Sequence, residues 1–277
     1  MRQLANFTLI AALLFLPLVP LRGQVATSSP TTTIQTLPRR FFSDEWQIWS
    51  SPFRSQTYSS KKILKYGLPF AAITAALIAT DHKTGSTNPN SGDLVTWSNH
   101  VSQLGAWYSL IGVTGGTYLT GKLLRDPHAQ EAGLLSLEAL GHTQIVVLAL
   151  KEITNRQRPL DGDHQGGFWE GGNSFPSGHA ASAFSVATVF AYEYHDHIAV
   201  PIVAYSLAGL ISASRVTAQR HWVSDVFVGA SVGYLIGRFT YKRNHDSRLP
   251  GSRLTREQRM IPQIGISGHV VALSWKL

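Results

Sequence analysis

From Lys61 onward the chain is a succession of apolar segments, at about 63–80, 103–123, 132–150, 180–194, 198–213 and 222–240. Segments of this length read as helices rather than strands, so the sequence points to an all-α fold. What distinguishes these segments is what stands at their ends. The turn Gly171-Gly172-Asn173-Ser174-Phe175-Pro176-Ser177-Gly178-His179 runs directly into the apolar pattern Ala180 to Tyr192, which places Ser177, Gly178 and His179 on the first turn of a helix. Unpaired backbone N–H groups and the positive end of the helix dipole make such a turn an anion site. Ser177 adds a hydroxyl, Gly178 lets the backbone approach a ligand, and His179 can exchange a proton near neutral pH. A plain Ser N-cap with an exposed histidine is the alternative.

Two further stretches bear on that choice. Upstream, Lys151 and Arg158 are seven residues apart in Lys151-Glu-Ile-Thr-Asn-Arg-Gln-Arg158-Pro159, two helical turns, so both cations are expected on one face before Pro159 stops the helix. Downstream, the run Ser214-Arg215-Val-Thr-Ala-Gln-Arg220-His221-Trp-Val-Ser-Asp225 puts His221 and Asp225 at i,i+4, where the carboxylate can fix the ring's tautomer. Three cations, two histidines, a carboxylate and a helix N-terminus suit a phosphate-like oxyanion. Taken singly, each has an ordinary reading as a helix-closing cation or a surface pair.

These residues resemble the type-2 phosphatidic acid phosphatase and vanadium haloperoxidase superfamily. Its signature is Lys-x6-Arg-Pro, Pro-Ser-Gly-His and Ser-Arg-x5-His-x3-Asp, and every fixed position is present in order. The resemblance spans roughly residues 60–242. It implies a six-helix bundle with all the signature ends on one face. It further implies His221 as the nucleophile that forms a phosphohistidine, Asp225 as its orienting carboxylate and His179 as the acid for the leaving oxygen. Lys151, Arg158, Ser177, Gly178 and Arg215 are then the phosphate-binding residues. Cations around the equatorial oxygens can support phosphoryl transfer without a metal, so no metal and no cofactor is expected. The same pocket could hold vanadate in a haloperoxidase, the alternative activity.

Outside this region the chain changes character. Residues 1–24 read as an export signal, with Arg2 ahead of the apolar stretch Phe7 to Pro20. A Ser/Thr/Pro linker follows, and Phe41 to Trp49 reads as a short amphipathic helix that docks on the domain or lies on a membrane, so 25–60 forms a linking region. The helical phosphatase domain is expected over 61–242, and 243–277 as a basic, β-like C-terminal tail. The loop 160–176, with Trp169, reads either as a substrate rim or as an inert connector. The chain has no cysteine, which excludes disulfide and thiol chemistry. A formal charge of +8, concentrated after Arg238, fits anionic lipid headgroups better than nucleic acid, for which no recognition motif is present.

Membrane embedding is less plainly written. Mean hydropathy is +0.00, and the third segment carries Glu138, His142 and Gln144. Basic residues Lys61, Lys62, Lys65, Lys122 and Arg125 place the active face outside the cytoplasm by the positive-inside rule, whereas a cleaved export signal followed by six crossings would place it inside. The sequence thus predicts an exported or membrane-associated envelope hydrolase of phosphomonoesters or diphosphates. Lipid or isoprenoid phosphates are the expected substrates, and small soluble phosphate esters, as in acid phosphatases, are the alternative.

Overall fold

A computed structural model describes residues 32–51, 61, 63–86, 91–162, 164–246 and 249, and the backbone of two strands near the C-terminus. The export signal expected over 1–24 and residues 25–31 and 52–60 of the linking region lie outside the described residues. Up to His245 the described chain is helical and forms one compact unit; residues 246–277 form a second. In the second unit, β1 (Gln263–Ser267) pairs antiparallel with β2 (Val270–Ser274), with Gly265 opposite Ala272.

The first unit contains eight α-helices among the described residues, not six: α1 (Leu37–Ser50), α2 (Leu68–Ser86), α3 (Gly92–Gln103), α4 (Trp107–Leu124), α5 (Pro127–Thr154), α6 (Gly178–Glu193), α7 (Ala199–Thr217) and α8 (Val223–Asn244). A π-helical turn, Ile63–Gly67, leads into α2. The six apolar segments correspond to α2 and α4–α8. The added helices are α1, where an amphipathic segment was expected, and α3. The latter begins on a Ser91 cap whose hydroxyl accepts from Leu94 N at 3.3 Å, and its apolar content is too low to stand out by hydropathy. Asp126 caps α5 by accepting from the backbone of His128 and Ala129 at 2.9 and 3.2 Å, so this helix starts earlier than its apolar run. It ends at Thr154 on a left-handed Asn155 (φ 41°), short of Pro159.

Helix α6 is the centre of the unit. Phe190, Val186 and Tyr194 pack with Leu110, Leu140 and Val200, while Ala183 and Ala187 meet Ala204, Ala208 and Ile211 of α7. Its closest partner is α8. A Cβ at Gly229, Gly233 or Gly237 would sit 2.5, 2.0 or 2.4 Å from the carbonyl oxygens of Ser177, Ala181 and Ser185, so the two backbones touch along a glycine stripe of period four. Both sets of residues ascend together. The two helices are therefore parallel, and their N-termini lie at the same end of the bundle. The C-termini of α5 and α7 meet them there through their connecting segments.

Polar and apolar residues are distributed in a membrane-like way. Ser136, Thr143, Ser182, Ser185 and Thr188 are buried, whereas Leu68, Leu119, Leu148, Ile202, Leu210 and Leu235 are each more than half exposed on the outer surface. Three helical stretches, Ile63–Lys83, Pro127–Thr154 and Ala199–Thr217, are long and apolar enough to cross a membrane.

Polar contacts gather at the other end of the bundle. His245, after α8, donates to Glu131 at 2.9 Å and faces Glu193 at 3.5 Å; burial opposes its charge, but these two carboxylates prevail and push it up to about 10. Helix α1 docks on α5 through Arg40–Glu138 (2.8 Å), Glu45–His142 (2.6 Å) and the Phe41 ring stacked 4.3 Å from that of His142. Two carboxylate–histidine groups, Asp44/Glu138/His142 and Glu131/Glu193/His245, are thus assembled from residues distant in sequence. Residues so far apart carry no mark of these groups in the sequence. None of the signature residues belongs to either group.

Replacing Gly233 by leucine should destabilise the protein by about 3 kcal/mol or more, because the side chain would enter the Ala181 backbone. Gly209→Ala, where a Cβ meets nothing within 4 Å, should be neutral or mildly stabilising. Thermal unfolding of both variants in detergent measures this, and equal midpoints would contradict the close α6–α8 contact.

Candidate active site

Each predicted site residue lies at the end of the bundle where α6 and α8 begin. Ser177 holds the N-cap position of α6, yet its hydroxyl makes no capping bond; its backbone N–H instead donates to Asp225 O at 2.9 Å. That contact ties the start of α6 to the first turn of α8. The simple N-cap reading of Ser177 is therefore wrong. Gly178 is not required by the protein's own packing, since a Cβ there would meet Val147 Cγ1 at an ordinary 3.6 Å.

His221 and Asp225 face each other at the start of α8. His221 precedes α8, which starts at Val223, and its Nδ1 lies 3.6 Å from Asp225 Oδ2, longer than a direct hydrogen bond. The hydroxyl of Ser174 touches both: it donates to Asp225 Oδ2 at 2.5 Å and lies 3.4 Å from His221 Nδ1. Trp222 N donates to the same carboxylate oxygen at 2.9 Å. Asp225 is wholly buried, and its hydrogen bonds and neighbouring cation hold it in the ionised state despite that burial. Burial pushes His221 down to about 4; Asp225 opposes this and Lys151 and Arg215 add to it, so the ring is a neutral imidazole at physiological pH.

The cations converge in front of this ring, although not as two residues on one helix face. Because α5 ends at Thr154, Lys151 is on its last turn while Arg158 belongs to the following loop. Lys151, Arg158 and Arg215 nonetheless act on one another electrostatically, and all three act on His179. Lys151 Nζ donates to Asn173 O, and Arg215 is aimed by Ser102 of α3, which accepts from it at 2.9 Å. Among the described residues, Ser177 Oγ, Arg158 Nε and Arg215 Nε are buried with no protein hydrogen-bond partner. Buried donors of this kind are costly unless an acceptor meets them. Three of them fall on residues expected from the sequence to bind phosphate, which makes this end of the bundle a candidate oxyanion cradle. Burial first, then Arg215, His221, Lys151 and Arg158, lower His179 to about 3, so an anion must be bound before this ring can hold a proton near neutrality.

The loop between α5 and α6 is a fixed wall rather than a free connector. Trp169 N donates to Thr154 O at 2.8 Å, Gly172 N to Asn155 O at 3.0 Å and Ser174 N to Arg156 O at 2.8 Å. Gly166 (φ 71°) lies against the Trp222 ring, where a Cβ would come within 2.6 Å. Trp169 itself is 77% exposed on the rim.

Sequence reading missed the residues that hold Asp225. Arg156, 1% exposed, donates to Asp225 at 2.7 Å, Ser224 at 2.6 Å, Asp81 at 2.8 Å and Gly166 O at 3.0 Å, with its guanidinium over the rings of Phe168 and Trp222. It lies inside the Lys151–Pro159 stretch but at none of its fixed positions. Asp81 could have been noticed as an acid at the end of an otherwise apolar segment. Ser174 and Ser102 carried no comparable mark.

Arg215→Lys should lower kcat/KM for a phosphate ester by about 10²-fold, since a point charge cannot both keep the Ser102 contact and present a planar fork. Steady-state phosphate release measures this; unaltered kinetics would remove Arg215 from the cradle.

The chain is 31% identical over 185 residues to lipid A 1-phosphatase of Porphyromonas gingivalis, covering 65% of this chain and 38% of that protein. It is 37% identical over 112 residues to phosphatidylglycerophosphatase B of Bacillus subtilis, covering 38% of this chain and 54% of the relative. The chain therefore spans only about half, or less, of the length of these curated relatives. Among solved structures, the transmembrane PAP2-type phosphatidylglycerolphosphate phosphatase of Bacillus subtilis aligns with a TM-score of 0.47 and 23% identity, over 77% of this chain and all of that one. Residues 132–249, which contain Lys151, Arg158, Ser177, Gly178, His179, Arg215, His221 and Asp225, match the model of the PAP2 superfamily.

Proposed function

We propose that this protein is a metal-independent lipid phosphate phosphatase working through a phosphohistidine on His221. The observation that carries the proposal is the set of buried, protein-unpartnered donors on Ser177, Arg158 and Arg215, gathered with Lys151 around a neutral His221 backed by Asp225. With Nδ1 turned to Asp225, Nε2 is the nitrogen free to attack phosphorus. The P–O bond to the leaving group breaks as N–P forms, and His179 gives that oxygen its proton. Burial and, after it, the surrounding cations disfavour a proton on His179, and the dianion in the cradle offsets the cations' share. In the second half, His179 takes a proton from water, whose oxygen attacks phosphorus and returns His221 to neutral imidazole. Side-chain cations and the α6 N-terminus meet the phosphoryl charge, so no step calls for a metal.

Lipid phosphates are favoured as substrates by the apolar outer surface and by the lipid phosphatase names of the relatives, and isoprenoid diphosphates fall within the same chemical class. The active end is opposite Lys122, Arg125, Lys242 and Arg243, which close α4 and α8. By the positive-inside rule the site faces away from the cytoplasm, in the cell envelope.

Detergent-purified protein should release phosphate from phosphatidic acid or phosphatidylglycerophosphate in excess chelator, faster than from a small aryl phosphate. His221→Ala should lose at least about 10⁴-fold, and His179→Ala should lose far more with an alkyl than with a nitrophenyl leaving group. Undiminished turnover in His221→Ala, or activity abolished by chelator, would contradict the proposal. Halide oxidation by peroxide with added vanadate, in the absence of phosphatase activity, would favour a haloperoxidase instead.

A further inference from the structure

Asp225 does not act on His221 alone: it ends a buried row of alternating charge that runs His221, Asp225, Arg156, Asp81. One oxygen of Asp225 faces the His221 ring, and the other takes Arg156 Nη1 at 2.7 Å. On its far side Arg156 Nη2 donates to Asp81 Oδ2 at 2.8 Å. Ser224 closes the group: its backbone N–H donates to Asp81 Oδ1 at 3.2 Å and its hydroxyl to Asp81 Oδ2, while Arg156 Nη1 donates to that hydroxyl at 2.6 Å. Asp81, Arg156, Ser224 and Asp225 are each no more than 1% exposed. Water therefore screens these charges little.

We propose that Asp81, on α2 and outside the residues that match the superfamily, is a positioning residue that sets the basicity of His221 by offsetting the charge of Arg156. The proposal rests on the reading of His221 as the nucleophile. A guanidinium bound only to Asp225 would draw the carboxylate's field away from the ring; a second carboxylate behind it restores that field. The other charged groups facing His221 are Lys151 from α5, Arg215 from α7 and His179 from α6, with Arg158 beside them from the α5–α6 loop. All of these are cations or a ring they keep neutral. Asp225 and, behind Arg156, Asp81 are the two carboxylates that oppose them. The arrangement also makes α2, a candidate membrane span, part of the catalytic apparatus.

The charges predict opposite effects for neighbouring residues, which a purely structural role does not. Asp81→Asn keeps the side chain's shape and removes a negative charge, so imidazolium becomes harder to form. The acidic limb of kcat/KM should move to lower pH by about half a unit or more, with a lower plateau. Arg156→Gln removes the positive charge between two carboxylates, so the limb should move to higher pH by a similar amount. The test is the pH dependence of kcat/KM for full-length wild type, D81N and R156Q in detergent, on one short-chain phosphatidic acid whose own ionisation is common to all three. Opposed shifts support the proposal. Shifts of the same sign, or limbs that stay in place while rates fall, overturn it. Should R156Q fail to fold, D81N beside Ser224→Ala decides alone: a downward shift in D81N larger than in S224A supports the proposal, and an unmoved D81N limb overturns it. Wild type inactive on every lipid phosphate would defeat the phosphatase reading itself, a failure distinct from active variants with unshifted limbs.

Discussion

The fold depends on two helices touching without side chains between them. Gly229, Gly233 and Gly237 of α8 lie on the carbonyls of Ser177, Ala181 and Ser185 of α6, at a separation that leaves no room for a Cβ. That contact fixes both register and direction. It sets the two N-termini side by side, so that Ser177 N–H reaches Asp225 O at 2.9 Å and the first turn of α6 lies beside the start of α8. Without it, the three parts of the signature would remain separate helix ends. Because the contact relies on backbone proximity and dispersion, it works equally well in an apolar solvent, as expected for a bundle that exposes large aliphatic side chains such as Leu119, Leu148 and Leu235 while burying serines and threonines.

On that frame the site is organised by one buried carboxylate. Asp225 receives Ser174, Trp222 N–H and Arg156, and faces His221, so a single group links the α5–α6 loop, α8 and, through Arg156, α2. A buried charge with this many partners is held in place by its hydrogen bonds, and removing any one of them leaves a cost in the interior. The cation cradle has the opposite character. Its donors are gathered against mutual repulsion and are only partly satisfied by protein, an arrangement suited to an incoming phosphoryl group. Structural satisfaction behind His221 and electrostatic demand in front of it divide the candidate site into two halves.

Much of this was legible in the sequence, because motif spacing constrains chemistry more tightly than hydropathy constrains helix ends. Lys151, Arg158, Ser177, His179, Arg215, His221 and Asp225 come together as the signature implied. One local expectation failed for a physical reason. Asn155, able to adopt a left-handed conformation, stops α5 before Pro159 can, so Arg158 reaches the cradle from a loop. His221 lies ahead of α8 because the helix is capped at Trp222, where the Asp225 side chain turns back to the Trp222 N–H. Helix α3 escaped notice because its polar content hides it from a hydropathy reading, although it supplies the Ser102 that aims Arg215. Arg156 and Asp81 were unreadable as partners, being 75 positions apart and joined only by the folded chain. The glycine stripe of α8 was present in the sequence all along, and its meaning depends on which helix lies opposite.

The central claim is a covalent one: phosphate passes through a nitrogen of His221. The most direct measurement is a rapid acid-free quench of the protein turning over ³²P-labelled phosphatidic acid, followed by peptide mapping under alkaline conditions. The account predicts an acid-labile, base-stable phosphoryl group on the peptide containing His221, formed and lost fast enough to carry turnover. Steady phosphate release at full rate with no label on His221 at any time, or label on another residue, would contradict it.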